Sequence, residues 1–289
     1  MNARVYLVDV FGARTMAGNP LAVVVGADGL DGPRMLHMAR WFNFSETVFL
    51  LPPTRQDADY RARIFTLDRE LPFAGHPTLG CAHVWLEAGG QAAETGRIVQ
   101  ECGAGLVTLR REGKRLAFAA PPMVRSGPVD AQDMAEAREF LGVAPDAIMD
   151  AAWVDNGPGW LGIRLASAEC VLALRPPRIW RRRVEIGVIG AHAAGADADF
   201  EVRAFFSDHL LGVLEDPVTG SLNASLAQWM FASKMVKDAY IAAQGTALGR
   251  VGRIHARRDA AGVVWIGGHT ETHVTGSLTW DAGKFPGQS

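Results

Sequence analysis

The chain has 289 residues, 48% of them hydrophobic, and a formal net charge of −2. That length supports one large or two medium domains with real cores, which excludes a disordered chain. The near-balanced charge gives no field that would draw nucleic acid or anionic lipid, so neither is an expected partner.

Residues 5–11 read as a strand and 12–17 as a turn, followed by Gly18-Asn19-Pro20. The β-branched run 21–25 reads as a buried strand. Asp31 caps a helix whose apolar residues Met35, Leu36, Ala39 and Phe42 recur at helical spacing, and it ends near Asn43. Ser45-Glu46-Thr47 then enters a strand at 48–51, closed by Pro52-Pro53. Glu46 therefore lies at a strand entrance among apolar neighbours.

Residues 60–67 alternate as a strand and deliver the chain to the run 69–80, which opens an apolar helix at 77–88. Pro77 suits its first turn, and the N–H groups around Gly75, His76 and Thr78 form a terminus that attracts anions. A helix apolar nearly all round fits enclosure by a sheet. Gly89 and Gly90 stop it. Residues 98–102, 106–110 and 116–119 read as short antiparallel strands, and Pro121-Pro122 marks a boundary, giving lobes at 1–121 and 122–289.

In the second lobe a helix spans 130–141, closed by Gly142, with strands at 151–154, 161–165 and 171–174 and a helix within 180–192. Arg181-Arg182-Arg183, the one basic cluster, reads as a solvated rim. A strand at 200–206 leads to Glu215-Asp216-Pro217-Val218-Thr219-Gly220-Ser221 and a second apolar helix at 221–232. Closing strands follow at 249–257, 263–267 and 272–280, the last (about 272–289) a candidate to return to the first lobe; 284–289 should fray. Each half thus offers a glycine-bearing helix N-terminus, an internal duplication at the level of motif. No apolar run reaches membrane-spanning length and the first residues lead straight into a strand, so no signal peptide or anchor is expected. Cys81, Cys102 and Cys170 are scattered and odd in number, which fits a reducing compartment without a disulfide framework. The expected location is the cytoplasm.

Asp9-Val10-Phe11 with Ala17-Gly18-Asn19-Pro20, then Ser45-Glu46-Thr47, the run from Glu70 to Gly80, and Glu215 to Ser221, taken together and in this order, resemble the phenazine-biosynthesis (PhzF-like) isomerase family across nearly the whole chain. The resemblance implies an α+β fold of the diaminopimelate-epimerase type: two similar lobes, each a curved, mostly antiparallel sheet wrapped around a central helix, with the active site in the cleft between them. It further implies a homodimer, no cofactor and no metal. The implied activity is an isomerisation like that of trans-2,3-dihydro-3-hydroxyanthranilate, a proton moved between carbons of a small, cyclic carboxylate.

Such a reaction needs one group to take and return the proton, and others to bind the charge that develops. Glu46 fits the first role; otherwise it is a solvated carboxylate at a strand end. The family's acid/base glutamate falls on it, and the resemblance adds His76 and Asp216 as catalytic residues, at what read as equivalent places before the two helices; their bland alternatives are a packed turn histidine and a helix cap. Asn19, Gly75, Gly220 and Ser221 are expected to bind substrate, the glycines and Ser221 through backbone N–H groups. Three other readings compete: a two-thiol racemase, for which the matching positions hold Ala74 and Thr219; a serine hydrolase, for which no Gly-x-Ser-x-Gly elbow surrounds Ser221; and a metal face at His269-x-Glu271-x-His273, where a strand's period of two aligns three ligands. An epimerase with a non-thiol base and a non-catalytic carboxylate-binding protein remain as alternatives.

Overall fold

A computed structural model describes residues 1–208, 210–281 and 285. In chain order the elements are β1 (Asn2–Val10), β2 (Asn19–Val25), α1 (Gly32–Phe42), β3 (Thr47–Leu51), β4 (Tyr60–Phe65), β5 (Glu70–Leu71), α2 (Gly75–Glu87), β6 (Arg97–Cys102), β7 (Gly105–Glu112) and β8 (Arg115–Ala119). They are followed by β9 (Arg125–Pro128), α3 (Ala131–Leu141), β10 (Ile148–Asp155), β11 (Leu161–Leu165), α4 (Ala168–Ala173), β12 (Glu185–Ala191), β13 (Phe200–Ser207), β14 (Val213–Asp216), α5 (Gly220–Ala232), β15 (Ala239–Gln244), β16 (Gly252–Arg258), β17 (Val264–Gly268) and β18 (Thr270–Thr279). The architecture is α+β with mostly antiparallel sheet.

The chain forms two compact units, one of Met1–Val10, Asn19–Phe118 and the segment from His269, the other of Phe11–Gly18 and Ala119–Gly268. In the first, β18 pairs antiparallel with β1 and β1 with β2; β2 runs parallel to β3, β3 antiparallel to β4, and β4 parallel to β6, which continues through β7 to β8. In the second, β9, β10, β11, β12, β13, β15, β16 and β17 repeat that order with the same alternation of direction. A parallel neighbour requires a crossover, and α1 and α4 provide it after β2 and β11.

The duplication extends to individual residues. Asp59 donates its backbone N–H to Val99 O (2.8 Å) and accepts from Val99 N on its carboxylate (2.7 Å). Asp199 does the same with Ile241 (2.8 and 2.7 Å). Inside the helices, Thr78 Oγ1 donates to Ala74 O and Asn223 Nδ2 to Thr219 O, each four residues back and each at 2.9 Å. This aligns Gly75 with Gly220 and His76 with Ser221. His76 and Asp216 are therefore not equivalent: Asp216 ends β14, three residues before the helix cap.

Both central helices are enclosed where it matters for a site. Residues 75–82 of α2 and 220–227 of α5 are buried on every face. Gly80 allows this in the first unit, because a Cβ there would meet Leu21 and, at 3.2 Å, Val8 and Val10. The last turn of α2 emerges, with Glu87 exposed. A second layer covers the opposite sheet faces: α1 packs Met35, Met38 and Ala39 over Val24, Phe49 and Phe65, while Phe140 and Leu141 of α3 and Val171 of α4 cover Ile163, Ile186 and Phe205.

Two expected elements are exchanged. Residues 185–191 are strand β12, not helix, and 168–173 are helix α4, not strand. Ser167 caps α4 by accepting from Cys170 N at 3.3 Å, and β12 carries Gly187 and Gly190 where Leu222 and the backbone of Ser167 press against it. The arginine rim behaves as expected: Arg181 binds Glu139 with both nitrogens (2.6 and 2.7 Å), Arg182 binds Asp133 and Glu136, and Arg183 binds Glu185. The expected fraying from Lys284 lies outside the described residues except at Phe285, which packs edge-on to His37 of α1 at 5.9 Å between ring centroids.

Candidate active site

Four of the seven expected site residues meet in the first unit. Asn19 begins β2, Glu46 precedes β3, and Gly75 and His76 open α2. The cap position of α2 is Ala74, with no side-chain cap bond, so the first N–H groups of the helix rely on other partners. His76 is 2% exposed, and burial pushes its pKa down to about 3. The imidazole is neutral at any ordinary pH, so it cannot serve as a standing cation.

Its tautomer follows from its neighbour. Asn19 Nδ2 lies 3.3 Å from His76 Nδ1, and an amide nitrogen only donates. Nδ1 therefore accepts and Nε2 carries the hydrogen. That hydrogen faces Glu46, whose Oε2 is 3.5 Å from Nε2. Although the two groups lie at ion-pair distance, the buried ring has no charge to pair with. The contact is a neutral donor approaching a carboxylate, just beyond a good hydrogen bond. Glu46 keeps 16% of its side chain exposed, while the Oε2 that faces His76 is buried.

In the second unit, Asp216 lies four residues before the first residue of α5. The helix cap is Thr219 rather than Asp216, again without a side-chain cap bond. Asp216 Oδ2 accepts from the Thr219 hydroxyl at 2.6 Å. That hydroxyl accepts in turn from Gln244 Nε2 (2.9 Å), while Gln244 Oε1 accepts from Thr219 N (3.0 Å) and Asn223 Nδ2 (2.8 Å). Ser221 Oγ accepts from the Trp160 indole at 3.1 Å, which leaves its own proton to donate, and Ser221 O accepts from Asn156 Nδ2 at 2.8 Å.

Sequence reasoning missed Asn156, Gln244 and Gln100, the last of which donates to Thr78 Oγ1 at 3.0 Å. A signal was present: an amide inside the apolar strand runs Ile98-Val99-Gln100 and Ile241-Ala242-Ala243-Gln244, and an Asn at a strand end before Gly157-Pro158-Gly159. Among the cysteines, Cys81 is buried and its thiol pKa is pushed up by burial, which makes it a small core group. His269 and Glu271 are exposed and His273 Nε2 lies 3.8 Å from Glu271 Oε2. Among the described residues no group of three His, Cys, Asp or Glu could hold a metal.

Duplicated sheet-and-helix units with polar groups at the helix N-termini define the class of α+β epimerase- and isomerase-like proteins. Within it, the chain belongs to the PhzC-PhzF family of phenazine biosynthesis-like proteins, which it matches over residues 8–277. It is 33% identical to trans-2,3-dihydro-3-hydroxyanthranilate isomerase of Pseudomonas aeruginosa over 90% of this chain and 91% of that protein. It is also 33% identical to antisense-enhancing sequence 1 of Schizosaccharomyces pombe, over 93% and 96% of the two chains. A predicted epimerase from Pseudomonas aeruginosa superposes with a TM-score of 0.79 at 26% identity, covering 96% of this chain and all of the other. The protein is an isomerase of this family.

Proposed function

We propose that the protein is a cofactor-independent isomerase that moves a proton between carbons of a small, cyclic carboxylate, with Glu46 as the acid/base. The observation that carries this is the Asn19–His76–Glu46 arrangement: a neutral imidazole, held in one tautomer, presents its N–H to a partly exposed carboxylate. Glu46 takes the proton from one carbon and returns it to another, while His76 orients the carboxylate and donates to it. Asp216, fixed by Thr219, contributes as a second catalytic group. The uncapped N–H groups at Gly75, Gly220 and Ser221 bind the substrate carboxylate and the oxyanion that develops. The isomerase relative's name supplies the first substrate to try, trans-2,3-dihydro-3-hydroxyanthranilate. A cytoplasmic homodimer belongs to the same reading; light scattering of the purified protein tests the dimer. No helix among the described residues is long and apolar enough to cross a membrane.

The test is Glu46→Gln, which keeps the shape and removes the proton acceptor. General acid–base groups contribute about 10²–10⁴-fold in rate, so turnover should fall by at least that much while substrate still binds. In heavy water, wild-type enzyme with one shielded base should return some of the original hydrogen, giving incomplete deuterium at the receiving carbon. Near-normal turnover by folded Glu46→Gln protein would remove Glu46 from the mechanism. Tight binding without turnover by the wild type would leave a carboxylate-binding protein.

A further inference from the structure

An open cavity of about 450 Å³ lies in the first unit, away from Glu46 and His76, lined from the last turns of α2, the β7–β8 turn and the start of β18. Arg111, Lys114 and Arg115 reach it from the turn, His83 from α2 and His269 from the approach to β18. Glu87 is the one carboxylate in the lining, and it is already engaged: it accepts from Thr272 Oγ1 at 2.6 Å and lies 3.5 Å from His83 Nε2. Arg111 and Lys114 have no carboxylate partner among the described residues. The charge balance of the cavity is therefore strongly positive.

Thr270 closes part of the cavity wall and is only 8% exposed. The guanidinium groups of Arg111 and Arg115 and the Lys114 ammonium line the space together with the imidazoles of His83 and His269. A phosphate offers three strong acceptor oxygens and close to two negative charges, where a carboxylate offers two oxygens and one charge. The volume falls within the range of small-molecule sites, about 300–1,000 Å³, and exceeds the needs of a bare ion.

We propose that this cavity binds a phosphorylated small molecule. The site stands about seven residues along α2 from His76, roughly 10 Å at the helical rise, and does not depend on the catalytic reading.

Calorimetry at physiological salt on the intact protein tests it, with inorganic phosphate, glycerol 3-phosphate and succinate as probes. Both phosphates should bind saturably in the millimolar range or tighter, glycerol 3-phosphate the better, and succinate more weakly. The Arg111→Ala/Lys114→Ala protein, altered only at exposed residues, should lose at least about tenfold in phosphate affinity, the loss expected for charged hydrogen bonds, with isomerase turnover unchanged. A crystal soaked in glycerol 3-phosphate should show the phosphate against Arg111 and Lys114. Failure of the wild type to bind either phosphate, phosphate binding untouched by the double substitution, or succinate binding as tightly as glycerol 3-phosphate would each overturn the assignment.

Discussion

A neutral histidine inside a protein carries a pH signature, and His76 should show it. Burial holds its folded-state pKa near 3, whereas an unfolded chain protonates histidine near 6.5. Between those values the unfolded state binds the extra proton, so stability is full above about pH 6.5 and is lost as pH falls toward 3, with a slope of up to about 1.4 kcal/mol per pH unit. His76→Gln should flatten that part of the acid limb. Urea midpoints for both proteins at pH 7, 6, 5 and 4 measure this, and equal slopes would mean that the ring is charged in the fold. At this scale the sequence was informative where a residue type sits in a motif: Asn19, Glu46 and His76 are indeed neighbours in the first unit. It was silent on Gln100, Gln244 and Asn156. A buried amide acquires meaning only when the strand register and the facing helix are known, and both are long-range facts. The same holds for the link from Gln244 through Thr219 to Asp216, where a motif residue whose alternative reading was a helix cap receives a hydrogen bond from the actual cap residue.

The helices and strands that were legible have strong local signals. Asp31 and Asp130 cap α1 and α3 through their carboxylates at 3.0 and 2.8 Å, and Asn43 and Gly142 end these helices in the left-handed region. The two misread segments have weak or contrary ones. Residues 168–173 are too short for helical periodicity to show, and their helix rests on Ser167 and on packing against β11, β12 and β13. Residues 185–191 place Ile186, Val188 and Ile189 around two glycines, a pattern that only tertiary contact explains. Gly190 is the decisive position: a Cβ there would meet the carbonyl of Ser167 and, at 2.8 Å, the side chain of Val171. Because the obstacle includes backbone rather than only the tip of a side chain, Gly190→Ala should destabilise by about 1–3 kcal/mol, as overpacking in a dense core does. The chemical-denaturation midpoint reports it. A neutral outcome would show that α4 can slide on β12, and that the glycine serves the strand rather than the contact.

At the scale of the whole molecule, the repeated strand order has one consequence that neither half shows alone. The last strand of each half of the sequence belongs to the other unit: β9 follows β8 yet pairs with β10, and β18 follows β17 yet pairs with β1 along its whole length, from Val10 with Thr270 to Asn2 with Thr279. A cut at the Pro121-Pro122 boundary therefore leaves β9 with its unit but strips β18 from the first. Residues 1–121 alone would expose the edge of β1, an invitation to aggregate, and would uncover the core under α1 that Leu278 and Trp280 help to close. Where β18 ends it already meets the chain start, since Met1 N donates to Trp280 O at 2.9 Å and Trp280 N to Met1 O at 3.1 Å. A two-residue Asn-Gly turn joining Trp280 to Met1 should close these strands as a hairpin, the turn matching their natural twist. We expect residues 1–121 to be insoluble or unfolded by circular dichroism. The permuted fragment, residues 269–280 followed by Asn-Gly and residues 1–119, should fold cooperatively on urea titration. If the permuted fragment proved as unfolded as the simple one, the first unit would owe its stability to something other than its returned strand.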